Sequence, residues 1–387
     1  MSSPRERLLG ALAGPAGGAP VVSPLTDRNL AAGVMGKRVP QVTVEDELAT
    51  AERCGYDPIV IIDSDWGRYD PALHWREETL SEDERGLLKR KTLATPWGPW
   101  RIVYHELYAS SPEQTEFPLQ GPGDFEVLLW YAERIRGCGR GLAEYVAGVR
   151  QAVAERGLIC LRLGYPHELL SYSIPYLLSP ISLTDRIYYY YDYPDLYRQA
   201  MEAVHRTGQW LVETAAAAGC DGFFLGSFGT EVFSPQLFSE AILPYGRDMC
   251  RWIREQGAFS LYHACGHNRV WLEKGYLNQV RPDILEGFAP PPAGTVDDLA
   301  GARRVTDPAI CTRGNLDIEL LRNGTPGAVE EATRRVLEAT RGYRHIVGGA
   351  CTALYGTPVE NLQAMARAAR AWQPTQRRPP AVDHARS

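Results

Sequence analysis

The feature of this sequence that most constrains its fold is a regular alternation of short apolar segments and helical patterns from about residue 155 onward. Such alternation predicts parallel strands joined by crossover helices. The segments are apolar for most of their length, which is typical of strands buried on both faces. The strand candidates in this region are LICLRLGY (158–165), GFFLGS (222–227), AFSLYHAC (258–265), DILEGF (283–288), AICTRGN (309–315) and HIVGGAC (345–351).

Two earlier strand candidates, VVSPL (21–25) and PIVIID (58–63), bring the total to eight. We therefore predict an α/β protein built on a single (β/α)8 TIM barrel rather than on a doubly wound sheet. No GxGxxG motif follows a strand, which removes the main argument for a dinucleotide-binding fold. We expect the barrel to span residues 1–372, followed by a disordered, proline-rich tail at 373–387.

Residues 66–150 lack the alternation and mix charged residues with a predicted hairpin turn at Pro96-Trp97-Gly98. We interpret this segment as an irregular insertion that caps the barrel mouth.

Helix starts can be predicted at three places where a hydroxyl residue precedes a proline. Ser234 and Thr325 are expected N-caps with proline at the first helical position. Thr357 is expected to cap a third helix, with Glu360 completing a capping box.

The composition excludes several functional classes. A net charge of −6 provides no basic surface for nucleic acid. No apolar run is long enough to cross a bilayer, and the N-terminal ERLLGALAG favours a short amphipathic helix over a signal peptide. We expect a cytoplasmic monomer or homodimer that acts on a small molecule.

The cysteines are eight in number and include no CxxC pair. This pattern does not indicate a disulfide framework, and most of these thiols are expected to be small buried groups.

Two phrases, LYHACGH (261–267) and IVGGACTALYG (346–356), place unusual residues at the ends of strands. In a (β/α)8 barrel the chemistry lies at the carboxyl ends of the strands. His263 and Cys265 lie two residues apart and should point to the same side, while Cys351 follows the last strand. One imidazole and two thiolates would leave the fourth position of a zinc ion open, as in catalytic zinc sites. The alternative is that the cysteines are buried apolar residues and His263 is a hydrogen-bonded core residue.

Other polar residues at the strand ends are candidates for supporting roles. The predicted catalytic residues, as partners of the metal ligands or orienting groups, are Glu286, Asn315 and Tyr262. The predicted substrate-binding residues are Asp63, Asp65, Ser227 and Tyr190. Capping hydrogen bonds are the alternative for the two aspartates, and a partly buried helix start is the alternative for Tyr190. His267 could be a loop residue, a partner of a metal ligand or a fourth ligand.

Taken together, five phrases resemble the uroporphyrinogen decarboxylase superfamily, and within it the zinc-dependent methyltransferase branch. They are GCDGFFLGSFGTEVFSPQLFSEAILPY, HACGH, DILEGFAPPPAGTVDDLAGARR, RGNLDIELLRNGTP and GGACTALYGTPVENLQAMARAAR, and they cover about 219–370. The resemblance implies a (β/α)8 barrel with zinc on His263, Cys265 and Cys351. It also implies transfer of a methyl group between a corrinoid (methylcobamide) and a thiol such as coenzyme M. The corrinoid would bind free or on a partner protein.

The sequence also departs from the family. The decarboxylase branch carries an RQAGRY-type segment near its N-terminus, whereas the comparable region here is SPLTDRNLAAGVMGKR, with Arg28 and Arg38. The absence of this motif argues against true uroporphyrinogen decarboxylation. Three alternatives to the methyltransferase prediction stay open. They are a metal-free decarboxylase or lyase of a tetrapyrrole-like or other carboxylate substrate, a zinc methyltransferase or demethylase that uses no corrinoid, and a non-catalytic binding protein.

Overall fold

The computed structural model describes residues 2–14, 18–63, 65–108, 112–164 and 178–373. The strands of these residues are β1 (Val21–Val22), β2 (Ile59–Ile62), β3 (Arg76–Glu82), β4 (Gly86–Thr95), β5 (Gly98–Leu107), β6 (Glu113–Glu116), β7 (Leu158–Arg162), β8 (Gly222–Phe228), β9 (Phe259–Cys265), β10 (Ile284–Glu286), β11 (Cys311–Leu316) and β12 (His345–Gly349). The helices are α1 (Pro4–Ala13), α2 (Arg28–Met35), α3 (Val44–Cys54), α4 (Asp124–Ile135), α5 (Gly139–Val153), α6 (Leu183–Asp192), α7 (Pro194–Ala217), α8 (Pro235–Leu237), α9 (Leu243–Glu255), α10 (Arg269–Glu273), α11 (Tyr276–Val280), α12 (Leu299–Val305), α13 (Ile318–Asn323), α14 (Pro326–Ala339) and α15 (Val359–Ala371). The predicted disordered tail falls mainly on residues 374–387, which lie outside the described residues.

Eight parallel strands form the central sheet in the order β1-β12-β11-β10-β9-β8-β7-β2, so all eight predicted strands are confirmed. The first strand pairs with the last, since Val21 lies opposite Ile346. The Asp57 N–H, just before β2, donates to the Val22 carbonyl at 2.8 Å and links the two ends of the sheet. The architecture is the predicted (β/α)8 barrel.

The barrel interior is filled by one apolar side chain or more from every strand of this sheet. Helix α1 begins with a capping box in which Ser3 and Glu6 bond each other's backbone N–H groups. Its Leu8 is fully buried and packs on the residues at the amino ends of the strands. The predicted amphipathic helix therefore closes the barrel floor.

The segment predicted to be irregular is more regular than expected. Strands β3 to β6 form a separate four-stranded antiparallel sheet, and α4 and α5 follow it. Its central hairpin pairs Thr95 with Gly98 across Pro96 and Trp97, as the turn prediction required. The correction has a physical reason, because β3 is exposed along its whole length and so has no apolar alternation to reveal it.

Two of the three predicted helix caps are confirmed. The Ser234 hydroxyl accepts the Leu237 N–H, and the Thr325 hydroxyl accepts the Ala328 N–H. The Thr357 prediction is wrong, because that hydroxyl donates to the Leu354 carbonyl and α15 begins at Val359 without a side-chain cap.

No helix in the described part of the chain has both the length and the hydropathy needed to span a membrane.

Candidate metal centre

The three predicted metal ligands meet at the carboxyl end of the barrel. The ligand atoms of His263, Cys265 and Cys351 all lie within 4.8 Å of one another. His263 Nε2 is 3.7 Å from Cys351 Sγ. His263 is 9% exposed, and both cysteines are half-buried, whereas all other cysteines are buried free thiols. We call these three residues the triad.

The spacing between His263 and Cys351 suits a zinc ion. With Zn–S bonds near 2.3 Å and Zn–N bonds near 2.0 Å, a sulfur and a nitrogen ligand at a tetrahedral angle lie roughly 3.5 Å apart. The 3.7 Å between His263 Nε2 and Cys351 Sγ agrees with this value. Two soft sulfur ligands and an imidazole favour zinc over magnesium or calcium. Three protein ligands leave a fourth position for a substrate or water.

Behind the triad, Glu286 holds the other nitrogen of His263. His263 Nδ1 donates to Glu286 Oε2 at 2.9 Å, which leaves Nε2 free to face the thiols. Glu286 Oε1 in turn accepts a hydrogen bond from Arg313 Nε, and both residues of this ion pair are at most 3% exposed. The prediction had not singled out Arg313. Its position two residues after Cys311, an inward residue of β11, could have indicated it.

Charges within the triad depend on each other. The hydrogen bond with Cys265 lowers the pKa of the Cys351 thiol to about 4, and the same bond raises the pKa of Cys265. Burial disfavours a charged His263, but hydrogen bonds with Cys351 and Glu286 raise its pKa to about 10. Burial also opposes the Glu286 carboxylate, yet Arg313 and His263 hold the pKa of Glu286 below its usual value. A metal ion held here would have to displace the protons of Cys265 and His263.

A second ion pair, between Arg162 and Asp63, lies at the rim of the barrel near the triad. Arg162 Nε donates to Asp63 Oδ1 at 2.9 Å. The Arg162 guanidinium lies 5.0 Å from the centre of the Phe224 ring, and that ring stacks on His263 with centroids 6.0 Å apart. One phenyl ring therefore separates this ion pair from the triad.

Two predicted site residues point away from this centre. Tyr262 and Ser227 occupy strand positions that alternate with the inward residues His263 and Phe224. Tyr262 is fully buried in the apolar layer between the sheet and the helices. Ser227 lies opposite Ala264, another member of that layer. The orienting role predicted for Tyr262 and the substrate role predicted for Ser227 do not fit these positions.

The remaining predicted residues are placed as follows. Asn315 Nδ2 donates to the Phe288 carbonyl at 2.8 Å and so fixes the segment after β10. Tyr190 packs edge-on against Tyr197. His267 is not in the metal-binding cluster found among the described residues, and its N–H donates to Glu231.

A cavity of about 690 Å³ opens between the rim of the barrel and the inserted sheet. Asp63 and Asp65 both line it. Asp65 also makes the capping bond that was its alternative interpretation, because its Oδ1 accepts the Gly67 N–H. The missed residue Glu47, on α3, lines the same cavity. We call this space the rim cavity.

Part of the chain is similar to a known protein family. Residues 183–372 match the family described as uroporphyrinogen decarboxylase (URO-D). The match covers 190 of the 387 residues, just under half of the chain. The matched segment, which we call the family segment, runs from α6 through α15 and contains the whole triad together with Glu286 and Arg313. The rim cavity is lined by residues that precede this segment.

Two relatives from Methanosarcina mazei extend the comparison. The first, named methylated-thiol--coenzyme M methyltransferase, is 33% identical over 157 residues, which are 40% of this chain and 38% of that protein. The chain therefore matches well under half of the length of this curated relative. The second is a solved methyltransferase structure with a TM-score of 0.65, at 16% identity, covering 95% of this chain and 98% of the other. This likeness shows that the fold extends beyond the family segment.

Proposed function

We propose that the protein is a zinc-dependent methyltransferase in which His263, Cys265 and Cys351 hold the metal. The observation that carries this proposal is the convergence of one imidazole and two thiols within 4.8 Å at the carboxyl end of the barrel. A triad of this kind with an open fourth position is typical of catalytic zinc. Zinc bound there would supply a Lewis acid that lowers the pKa of a coordinated thiol acceptor.

The residues of the chain perform the remaining tasks. Glu286 accepts a hydrogen bond from the Nδ1–H of His263 and so keeps Nε2 directed at the metal position. Arg313 keeps Glu286 ionised in its buried position. The apolar barrel interior, with Leu8 at its floor, keeps water from reaching the triad from below. These groups position the acceptor without reacting themselves.

For the methyl donor we propose a methylcobamide, carried by a partner protein or bound free. The name of the Methanosarcina mazei relative supports a thiol acceptor and a methyl-transfer reaction. A corrinoid would do the difficult chemistry, while the barrel mouth would orient donor and acceptor.

Metal analysis of purified protein tests this proposal. We expect about one zinc per chain in the wild type and loss of that zinc in Cys351→Ala. Cys311→Ala is a matched control, because Cys311 lies in the barrel interior outside the triad. It should retain zinc.

Wild-type protein that takes up no zinc after reconstitution would contradict the proposal and favour the metal-free decarboxylase alternative. With zinc present, methyl transfer from methylcobalamin to coenzyme M separates the corrinoid reaction from a zinc methyltransferase that uses another donor.

A further inference from the structure

The rim cavity carries an excess of negative charge. Its wall contains three ion pairs, and in each of them the two charges cancel. They are Asp63–Arg162 at 2.9 Å, Glu77–Lys91 at 3.1 Å and Asp65–Arg68 at 3.4 Å. Among the lining residues that the structure describes, two further carboxylates, Asp27 and Glu47, remain beside one cation, Arg28. Carboxylates in this described lining therefore outnumber the Lys and Arg cations by one.

Glu47 is the carboxylate that is left without a close partner. It is 8% exposed and accepts no hydrogen bond from any described residue. Its ion-pair contact within the described part of the chain is Arg28, whose Nε lies 4.0 Å away on a side chain that is 41% exposed. Asp27 differs, because its two oxygens accept hydrogen bonds of 2.9 and 2.8 Å from Asn29.

A buried ionised carboxylate without a partner is energetically costly. Burial raises the pKa of Glu47 to about 7, and it also raises the pKa of Asp27. The charged and titratable groups around Glu47 are Asp27, Arg28, Tyr56, Asp63, Tyr145 and Arg162. A ligand with a positive charge would remove the cost of ionising Glu47.

Aromatic rings complete the lining. Tyr69, Trp75 and Tyr145 all face the cavity, and aromatic rings attract organic cations through their π faces. The volume of about 690 Å³ lies within the ordinary range for small-molecule sites.

We propose that the rim cavity binds a small organic cation, an amine or a methylated ammonium compound, whose nitrogen pairs with Glu47 and lies against these rings. The Arg162 guanidinium on the cavity wall lies 5.0 Å from the Phe224 ring, which stacks on His263, so this side of the cavity borders the triad. Binding of the cation needs neither zinc nor methyl transfer. Its role as methyl donor or acceptor rests on the proposed function.

Calorimetric titration with choline tests this inference, against two probes of the same shape. These are neutral 3,3-dimethyl-1-butanol and anionic 3,3-dimethylbutyrate. At pH 8 we expect choline to bind at least about tenfold more tightly than either probe, a difference in binding free energy of about 1.4 kcal/mol.

Glu47→Gln should weaken choline binding by about the same factor. Glu45→Gln is the matched control, since Glu45 lies on the same helix but is exposed and pairs with Arg156. It should bind choline as the wild type does.

Wild-type protein provides a second measurement that does not depend on the folding of a variant. Its affinity for choline should rise from pH 6 to pH 8, as Glu47 loses its proton. Equal affinity for the neutral probe, preference for the anion, no choline binding, or unchanged binding in Glu47→Gln would each overturn the inference.

Zinc-free Cys351→Ala separates this result from the proposed function. Choline binding to that variant supports the cation site whether or not the wild type proves to hold zinc. A wild type that holds zinc but ignores choline overturns the cation site alone.

Discussion

At the scale of single residues, His263, Glu286 and Arg313 form a line of buried polar groups on three adjacent strands. Arg313 balances the carboxylate, and the carboxylate orients the imidazole. Each member therefore depends on its neighbour, and removal of one leaves an uncompensated buried charge.

We expect Arg313→Met to lower the free energy of unfolding by about 3–5 kcal/mol, because it leaves the Glu286 carboxylate buried without its guanidinium. Urea denaturation provides the measurement, with the exposed Arg334→Met as a control. The double variant Arg313→Met/Glu286→Gln should recover part of the loss. Losses that simply add in the double variant would argue against this coupling.

A residue of the site could be predicted from the sequence only where its chemical type is unusual for its position. His263, Cys265 and Cys351 are unusual at strand ends, and the structure brings their ligand atoms within 4.8 Å of one another. Their role as metal ligands stays a prediction. Tyr262 was misplaced because its polar group suggested a role, although it alternates with His263 and must face the helices.

Glu47 and Arg313 were missed for a different reason. Glu47 stands in the acidic run VEDE at a helix start, where carboxylates normally stabilise the helix in water. Arg313 sits inside an apolar strand, and its partner Glu286 comes from another strand. Pairing across strands depends on register, which the sequence of one strand does not contain.

At the scale of elements, helix α1 is a small piece of the chain with a large structural role. Leu8 is fully buried in the apolar cluster that fills the barrel interior, whereas its neighbour Leu9 is 39% exposed. Adjacent leucines on one helix thus experience opposite environments.

Leu8→Ala should lower the free energy of unfolding by about 2–5 kcal/mol, because it opens a cavity in the barrel floor. Leu9→Ala is the matched control and should change it by less than about 0.5 kcal/mol. Thermal or urea unfolding of both variants tests the difference. Equal losses in the two variants would show that α1 does not close the floor.

The inserted sheet shows where prediction of elements reaches its limit. The barrel strands could be recognised because burial on both faces makes them apolar. Strand β3 is held by antiparallel pairing with β4, and its charged side chains point to solvent or to lysines such as Lys89. Backbone pairing of this kind leaves little trace in sequence periodicity.

At the scale of the whole molecule, the triad joins distant parts of the chain. His263 and Cys351 are separated by 88 positions in the sequence. Only the folded barrel brings them together, so a metal ion on the triad binds the folded state in preference to the unfolded chain.

Zinc should therefore raise the melting temperature of the protein. Free zinc at about 100 times its dissociation constant would stabilise the folded state by about 2.7 kcal/mol. A chelator should reverse this stabilisation in the wild type and leave the melting temperature of Cys351→Ala unchanged. Scanning calorimetry measures both, and an identical chelator response in the two proteins would contradict the assignment of the ligands.

The barrel itself could be predicted at this scale because the number and spacing of the strands leave few topologies. The rim cavity could not, because its walls combine β2, β7, α3 and the inserted sheet. The local sequence pattern of one element does not show how these four elements pack against one another.

The pairing of β1 with β12 has a consequence for synthesis of the protein on the ribosome. Val21 in β1 pairs with Ile346 in β12, which is synthesised 325 residues later. Strand β1 therefore leaves the ribosome long before its hydrogen-bonding neighbour. At about 5–20 residues per second, that delay lasts roughly 15–65 s. Throughout it the apolar edge of the nascent sheet stays open, and we expect the growing chain to require protection by chaperones until its final strand emerges.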